Sequence, residues 1–170
     1  LKRIKRLGFE SIEISGEPEQ YPPAECLPLL KQYGIRCWGA VTLTLGDRNL
    51  AAKDPAQRAA TVDYMRSLVE MVHQLEGHEL TVVPATVGKV NPDATPEEEW
   101  DWVVAGLKEV YALAEDRGVR LALEPLNRFE TYFINRVDQA YALAEATGEN
   151  CGVCLDIFHM NLEEADWAAA

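Results

Sequence analysis

The stretch "LALEPLNRFETYF", residues 121–133, decides how the whole chain is read. Leu121, Ala122 and Leu123 run straight into Glu124 and Pro125, and a polar cluster of Asn127, Arg128 and Glu130 follows. A buried strand that ends on a carboxylate is either entering a surface turn or presenting a working group at the rim of a barrel. Strand alternation puts Leu121 and Leu123 on one face, and Ala122 and Glu124 on the other. The segment "CGVCLD", 151–156, repeats the arrangement, with Val153 and Leu155 opposing Gly152, Cys154 and Asp156. Bulky aliphatics on one face suit packing against helices. Small residues ending in a carboxylate suit the inside of a barrel.

Outward from this stretch, the pattern alternates between strand and helix. Residues 1–7 read as helical, and "SIEIS" (11–15) as a short strand. Residues 24–33 form a predicted helix closed by Gly34, and "RCWGAVTLT" (36–44) a strand. Apolar residues at helical spacing mark 54–75, and a strand is predicted over 80–86. Thr95, Pro96, a run of acids and Gly118 sign a helix between them. A strand over 119–124, a helix over 136–147 and a strand over 151–156 complete the order. Such alternation means parallel βα units in an α/β fold. An open doubly wound sheet and a slice of a (β/α)8 TIM barrel both fit the count. The strand faces and the missing G-x-G-x-x-G fingerprint favour the barrel.

Composition narrows the partners. The 170 residues carry a net charge of −12, which speaks against nucleic acid, since phosphate binding needs clustered Lys and Arg. No apolar run reaches the roughly 18 residues of a membrane span. Cys26, Cys37, Cys151 and Cys154 are too few for a disulfide framework in a chain of this size. Cys151 and Cys154 have metal-site spacing, but three apart on a strand they face opposite ways, so they read as structural thiols in a reducing, cytoplasmic setting. "LKRIKRLGFE" reads as the end of an amphipathic helix and "EEADWAAA" as the start of one. A complete barrel typically holds about 250 residues. Residues 1–170 are therefore expected to be one partial barrel domain, about strands 2 to 6, truncated at both ends.

In TIM barrels the working groups sit at the C-terminal ends of the strands. Glu124 and Asp156 both occupy that position, on consecutive strands and on the inward face. Two carboxylates brought close repel each other unless a cation or a proton intervenes. An oxygen-rich site of this kind suits Mn²⁺ or Mg²⁺, with imidazole sometimes added. The plainer alternative is that each carboxylate caps the loop that follows it.

"EPLNRFE" (124–130) and "LDIFHMNLEE" (155–164) together resemble the sugar isomerase/epimerase family with a xylose-isomerase-like TIM barrel. Within it they are most similar to the ketose 3-epimerases, which act on sugars such as D-tagatose and D-psicose. The order of elements carries the resemblance across the chain, while the specific motifs cover these two segments. The resemblance implies a metal-dependent isomerase that epimerises a ketose at C3 through an enediolate. It implies Glu124 as metal ligand and acid/base residue, Asp156 as metal ligand, and Glu130 and His159 as substrate-binding groups. The metal it implies is Mn²⁺, with Mg²⁺ or Co²⁺ as alternatives. The family's remaining ligands, a His after strand 7 and a second catalytic Glu on strand 8, would lie beyond Ala170. One departure is Ile157, where the family usually has a small polar residue; alternation predicts that it points away from the lumen.

The chemistry accounts for the residue types. A C–H beside a ketone is a weak acid, and removing its proton puts charge on the carbonyl oxygen, which a divalent ion stabilises. A carboxylate in reach takes the proton, and inversion needs a second acid on the opposite face. Glu13, near the end of the first strand on the inner face, is a weaker candidate for substrate contact, with loop capping as the alternative. Trp38 is a weaker candidate for an apolar wall against a sugar, with core packing the more ordinary role. His73 and His78 read as surface or packing residues, and Trp100 and Trp102 as packing or contacts between copies in a homo-oligomer. "VGKV" (87–90) lacks the flanking residues of a P-loop. Alternatives in the same fold are a hydroxypyruvate-isomerase-like aldose–ketose isomerase and an inosose-dehydratase-like lyase. The zinc-dependent endonuclease IV branch is disfavoured by the −12 charge and three histidines. Outside catalysis, the alternative is a degenerate barrel that only binds sugar.

Overall fold

Asp54 opens a long apolar stripe by accepting the Ala56 N–H at 2.9 Å, and Pro55 follows where no donor is needed. In the computed structural model, which describes residues 1–170, this becomes helix α3, Pro55–Gln74. The other elements, in chain order, are α1 (Lys2–Arg6), β1 (Ser11–Ser15), α2 (Pro23–Tyr33), β2 (Arg36–Val41), β3 (Glu79–Val82), α4 (Pro96–Arg117), β4 (Arg120–Leu123), α5 (Val137–Thr147), β5 (Gly152–Val153) and α6 (Ile157–Glu163). Helix α4 carries the full capping box: Thr95 Oγ1 accepts the Glu98 N–H, and the Glu98 carboxylate accepts the Thr95 N–H. It ends at Gly118, whose φ of 67° lies in the left-handed region that a side chain disfavours.

The five strands are all parallel and lie in sequence order, β1-β2-β3-β4-β5. This is the partial (β/α) barrel arrangement expected from the sequence. Leu80 and Val82 of β3, and Leu121 and Leu123 of β4, enter one core cluster with Met65, Leu68 and Val72 of α3 and with Leu107 and Val110 of α4. Removing a side chain of that kind, as in Leu121→Ala, costs about 2–5 kcal/mol. The alternate residues face the other side of the sheet. There the Thr81 hydroxyl donates to Glu13 Oε1 at 3.0 Å, reaching from β3 to β1 across β2. Gly39 of β2 lies where the backbones come close, since a Cβ there would stand 2.0 Å from the Glu79 carbonyl oxygen.

The strands are shorter than their sequences suggest. Those predicted over 36–44, 80–86, 119–124 and 151–156 stop at Val41, Val82, Leu123 and Val153. The ladder runs on by one bond at their ends: the Thr42, Glu124 and Cys154 N–H groups donate to Thr81, Val82 and Leu123 oxygens at 2.9 Å each. The largest difference follows β5. Leu155, predicted to face the helices, is 53% exposed, and Ile157, predicted to point away from the lumen, is the 65% exposed first residue of α6. Asp156 causes the break by capping α6, its Oδ1 accepting the Phe158 N–H at 2.8 Å. Cys151 and Cys154 are free, partly buried thiols, and burial pushes them up to about 12 and about 11. No helix is long and apolar enough to cross a membrane.

Candidate active site

Parallel pairing of Ala122 with Gly152 and Leu123 with Val153 brings the C-terminal ends of β4 and β5 side by side. Glu124 and Asp156 emerge there. One ligand-type atom each from Glu124, Asp156 and His159 lies within 4.8 Å of the others. His159 arrives because Asp156 starts a helix: three residues on, the imidazole returns to the cap, and Nε2 stands 3.9 Å from Asp156 Oδ2. Asp156 thus serves as cap and site residue at once, with Oδ1 engaged by the helix and Oδ2 turned toward His159.

The segment after Glu124 is tied to α6 in two places. His159 is buried, and its Nδ1 receives the Asn127 N–H at 3.1 Å and Asn127 Nδ2 at 2.9 Å. Arg128 pairs with the Glu163 carboxylate through Nε and Nη2 at 2.8–3.1 Å, and its own N–H donates to Glu163 Oε1 at 2.7 Å. That guanidinium holds the Glu163 carboxyl below the usual carboxylate range. Glu130 accepts from Asn127 Nδ2 at 2.8 Å, and its carbonyl accepts the Gly88 N–H at 2.7 Å. At the ends of β1 and β2, Arg48 pairs with Glu17 at 2.7 and 3.1 Å and lies 3.8 Å over the Tyr64 ring. The Tyr64 hydroxyl in turn donates to the Gly16 oxygen and accepts the Leu43 N–H, each at 2.8 Å.

The electrostatics centre on Glu124. Burial, followed by the negative fields of Asp156, Glu13 and Glu130, pushes its carboxyl up to about 7. Glu13 therefore shares the field of the cluster, although its hydrogen bond runs to Thr81. Trp38 does not join it. It packs edge-on against His78, ring centroids 5.8 Å apart, and both line a cavity with Gly118, Val119 and Asn150 at the N-terminal ends of the strands. The sugar-wall reading of Trp38 is corrected by this placement: strand direction carries it to the end opposite Glu124. His73 meets the Arg117 carbonyl, Trp100 packs near Phe133, and Trp102 lies under Arg58. Glu99, within the acidic helix start, is 1% exposed and accepts the Asp93 and Ala94 N–H groups, an internal loop cap.

Asn127 and Glu163 were not singled out from sequence as working residues. The signal for Glu163 was an acid followed by a short apolar-spaced run, "DIFHMNLEE", which is a helix start of ordinary form. Asn127 stands within the motif "EPLNRFE", but nothing local shows its role, because its partner is 32 residues away.

Comparison with known proteins agrees with this geometry. The family described as xylose isomerase-like TIM barrel matches residues 1–170. The chain is 28% identical to a D-psicose 3-epimerase of Ruminiclostridium cellulolyticum, with 96% of the chain and 58% of that protein covered. It is 30% identical to an L-ribulose 3-epimerase of Mesorhizobium japonicum, covering 98% of the chain and 56% of that protein. It thus spans somewhat more than half the length of these curated relatives. Among solved structures, a Methylomonas D-allulose 3-epimerase in complex with D-allulose superposes with a TM-score of 0.90 at 29% identity, over 98% of this chain and 58% of that one. With the full-length family match, the parallel sheet and two carboxylates at neighbouring strand ends in agreement, the chain belongs to the xylose isomerase-like TIM barrel family.

Proposed function

We propose that residues 1–170 supply about strands 2 to 6 of a metal-dependent sugar epimerase, an isomerase that inverts C3 of a ketose. The observation that carries this reading is the convergence of Glu124, Asp156 and His159 within 4.8 Å at the C-terminal ends of β4 and β5. Relatives named as D-psicose, L-ribulose and D-allulose 3-epimerases support a free ketose as substrate.

The donor set suits a divalent cation. Glu124 is pushed up to about 7 by burial and by the negative fields of Asp156, Glu13 and Glu130, so a cation beside it would relieve that repulsion. Glu124 and Asp156 would hold the ion, Mn²⁺ first, with Mg²⁺ or Co²⁺ as substitutes. When bound, it stabilises the negative charge that develops on the substrate's carbonyl oxygen. Glu124 takes the proton from the carbon next to the ketone on one face of the sugar. His159 and Glu130 bind and orient the sugar oxygens. Redelivery of a proton on the opposite face requires a second acid, which the family resemblance puts on a later strand. Free thiols at Cys26, Cys37, Cys151 and Cys154 support a reducing, cytoplasmic setting.

Glu124→Gln in the full-length protein tests the reading. Gln keeps the size and one oxygen but does not take up a proton. With metal occupancy measured first, C3 inversion is expected to fall by about 10²–10⁴ or more. Exchange of the C3–H with D₂O should survive in only one epimer, because the opposite face retains its own base. Near wild-type epimerisation with the metal in place would remove Glu124 from the mechanism.

A further inference from the structure

The neutral imidazole of His159 carries its proton on either Nδ1 or Nε2, and the neighbours of the ring decide which. The backbone N–H of Asn127, a donor whatever the pH, lies 3.1 Å from Nδ1. Asn127 Nδ2 lies 2.9 Å from the same atom. The orientation of that amide is itself determined by two other partners. Its Oδ1 accepts the Phe129 N–H at 3.0 Å, and its Nδ2 also donates to Glu130 Oε1 at 2.8 Å. Exchanging the ends of the amide would set oxygen against a carboxylate and NH₂ against an N–H, losing both bonds. Two donors therefore converge on Nδ1 and leave it the role of acceptor.

We infer that Asn127 is a positioning residue that sets the Nε2–H tautomer of His159. The proton then sits on the nitrogen 3.9 Å from Asp156 Oδ2, on the side of the ring where the two carboxylates lie. A protonated Nε2 has no lone pair for a cation, so His159 works there as a hydrogen-bond donor, and of these three groups only Glu124 and Asp156 are left to hold a cation. Asn127 holds Glu130 with the other hydrogen of the same amide, so one side chain orients both groups. A neighbour that fixes the tautomer of a histidine in this way sets what the ring can offer. That a sugar oxygen receives the Nε2–H rests on the epimerase reading; the tautomer does not.

The test is a long-range ¹H–¹⁵N spectrum of the chain labelled with ring-¹⁵N histidine, recorded at alkaline pH where imidazoles are neutral. Only His73, His78 and His159 contribute, and His73→Gln and His78→Gln assign the signals. His159 is expected to show a protonated Nε2 and an unprotonated Nδ1. Asn127→Asp places an acceptor beside Nδ1 and should raise the Nδ1–H fraction severalfold in the folded protein. A wild-type spectrum with the proton on Nδ1 would overturn the inference, and it needs no variant to fold. An unchanged tautomer ratio in folded Asn127→Asp would overturn it as well, by assigning the effect to the backbone donor alone.

Discussion

Glu124 is a carboxyl group placed against its own preference for water. Burial and the charges of Asp156, Glu13 and Glu130 all favour its protonated form and push it up from 4.5 to about 7. Linkage then determines how stability depends on pH. The native state binds this proton more tightly than the unfolded chain, so the contribution is fully present below about 4.5 and is lost as pH rises through about 7. Without metal, the melting temperature of the chain should therefore fall, relative to Glu124→Gln, across that window. Thermal melts of both proteins from pH 4 to pH 8 measure the difference, and a constant gap would contradict the assigned fields. Asp156 shows a different economy: one oxygen caps α6 and the other faces His159. The capping and catalytic readings of a strand-end carboxylate are thus compatible in a single side chain.

At the scale of elements, the site depends on α6 more than on β5, which is two residues long. This short helix is held to the loop after β4 by the Arg128–Glu163 pair and by Asn127 with His159. Glu163 also accepts the Arg128 backbone N–H, so it fastens side chain and main chain together. Glu163→Gln removes the charge from this latch. Hydrogen exchange should then quicken at the amides of 157–163 and 127–131, while those of β3 and β4 stay protected, because their bonds lie in the core ladder. Mass spectrometry of exchanged peptides checks this, and uniform protection in both proteins would show that the latch does not hold α6. The corresponding latch at the other loops is Glu17–Arg48–Tyr64, which joins the ends of β1 and β2.

For the whole molecule, the open sheet leaves β1 and β5 as edge strands, each paired on one side. Apolar side chains stand exposed near both: Leu7, Phe9 and Leu29 on one flank, and Leu155, Ile157 and Phe158 on the other. Unpaired edges beside apolar surface promote association. A net charge of −12 opposes it by mutual repulsion, and salt screens that repulsion. The 170-residue chain is therefore expected to self-associate increasingly with concentration and with ionic strength. Phe9→Lys and Phe158→Lys should reduce this association. Sedimentation velocity measures it, and a monomer at all concentrations and salts would contradict the argument.

The parallel α/β order was legible from residue pattern alone. Apolar spacing, the Thr95 cap, the closing glycines at 34 and 118, and the alternation in "LALE" all act over a few residues, and local rules suffice to read them. Glu124 and Asp156 could be named as strand-end carboxylates for the same reason, and the motifs around them carried the resemblance to the family. Other features depended on residues far apart in the chain. Trp38 and Glu13 were both weaker candidates for sugar contact, and only the direction of the strands carried one to the far end and left the other in the field of Glu124. The shift of Glu124 toward neutrality needs Glu13, Asp156 and Glu130 in one place, which no single segment contains. Asn127 became informative only when α6 folded back and put His159 against it, 32 residues away. Local propensity names the elements and the reactive groups. Packing decides which groups meet, because the meeting distances are fixed by how the strands pair and where the helices return.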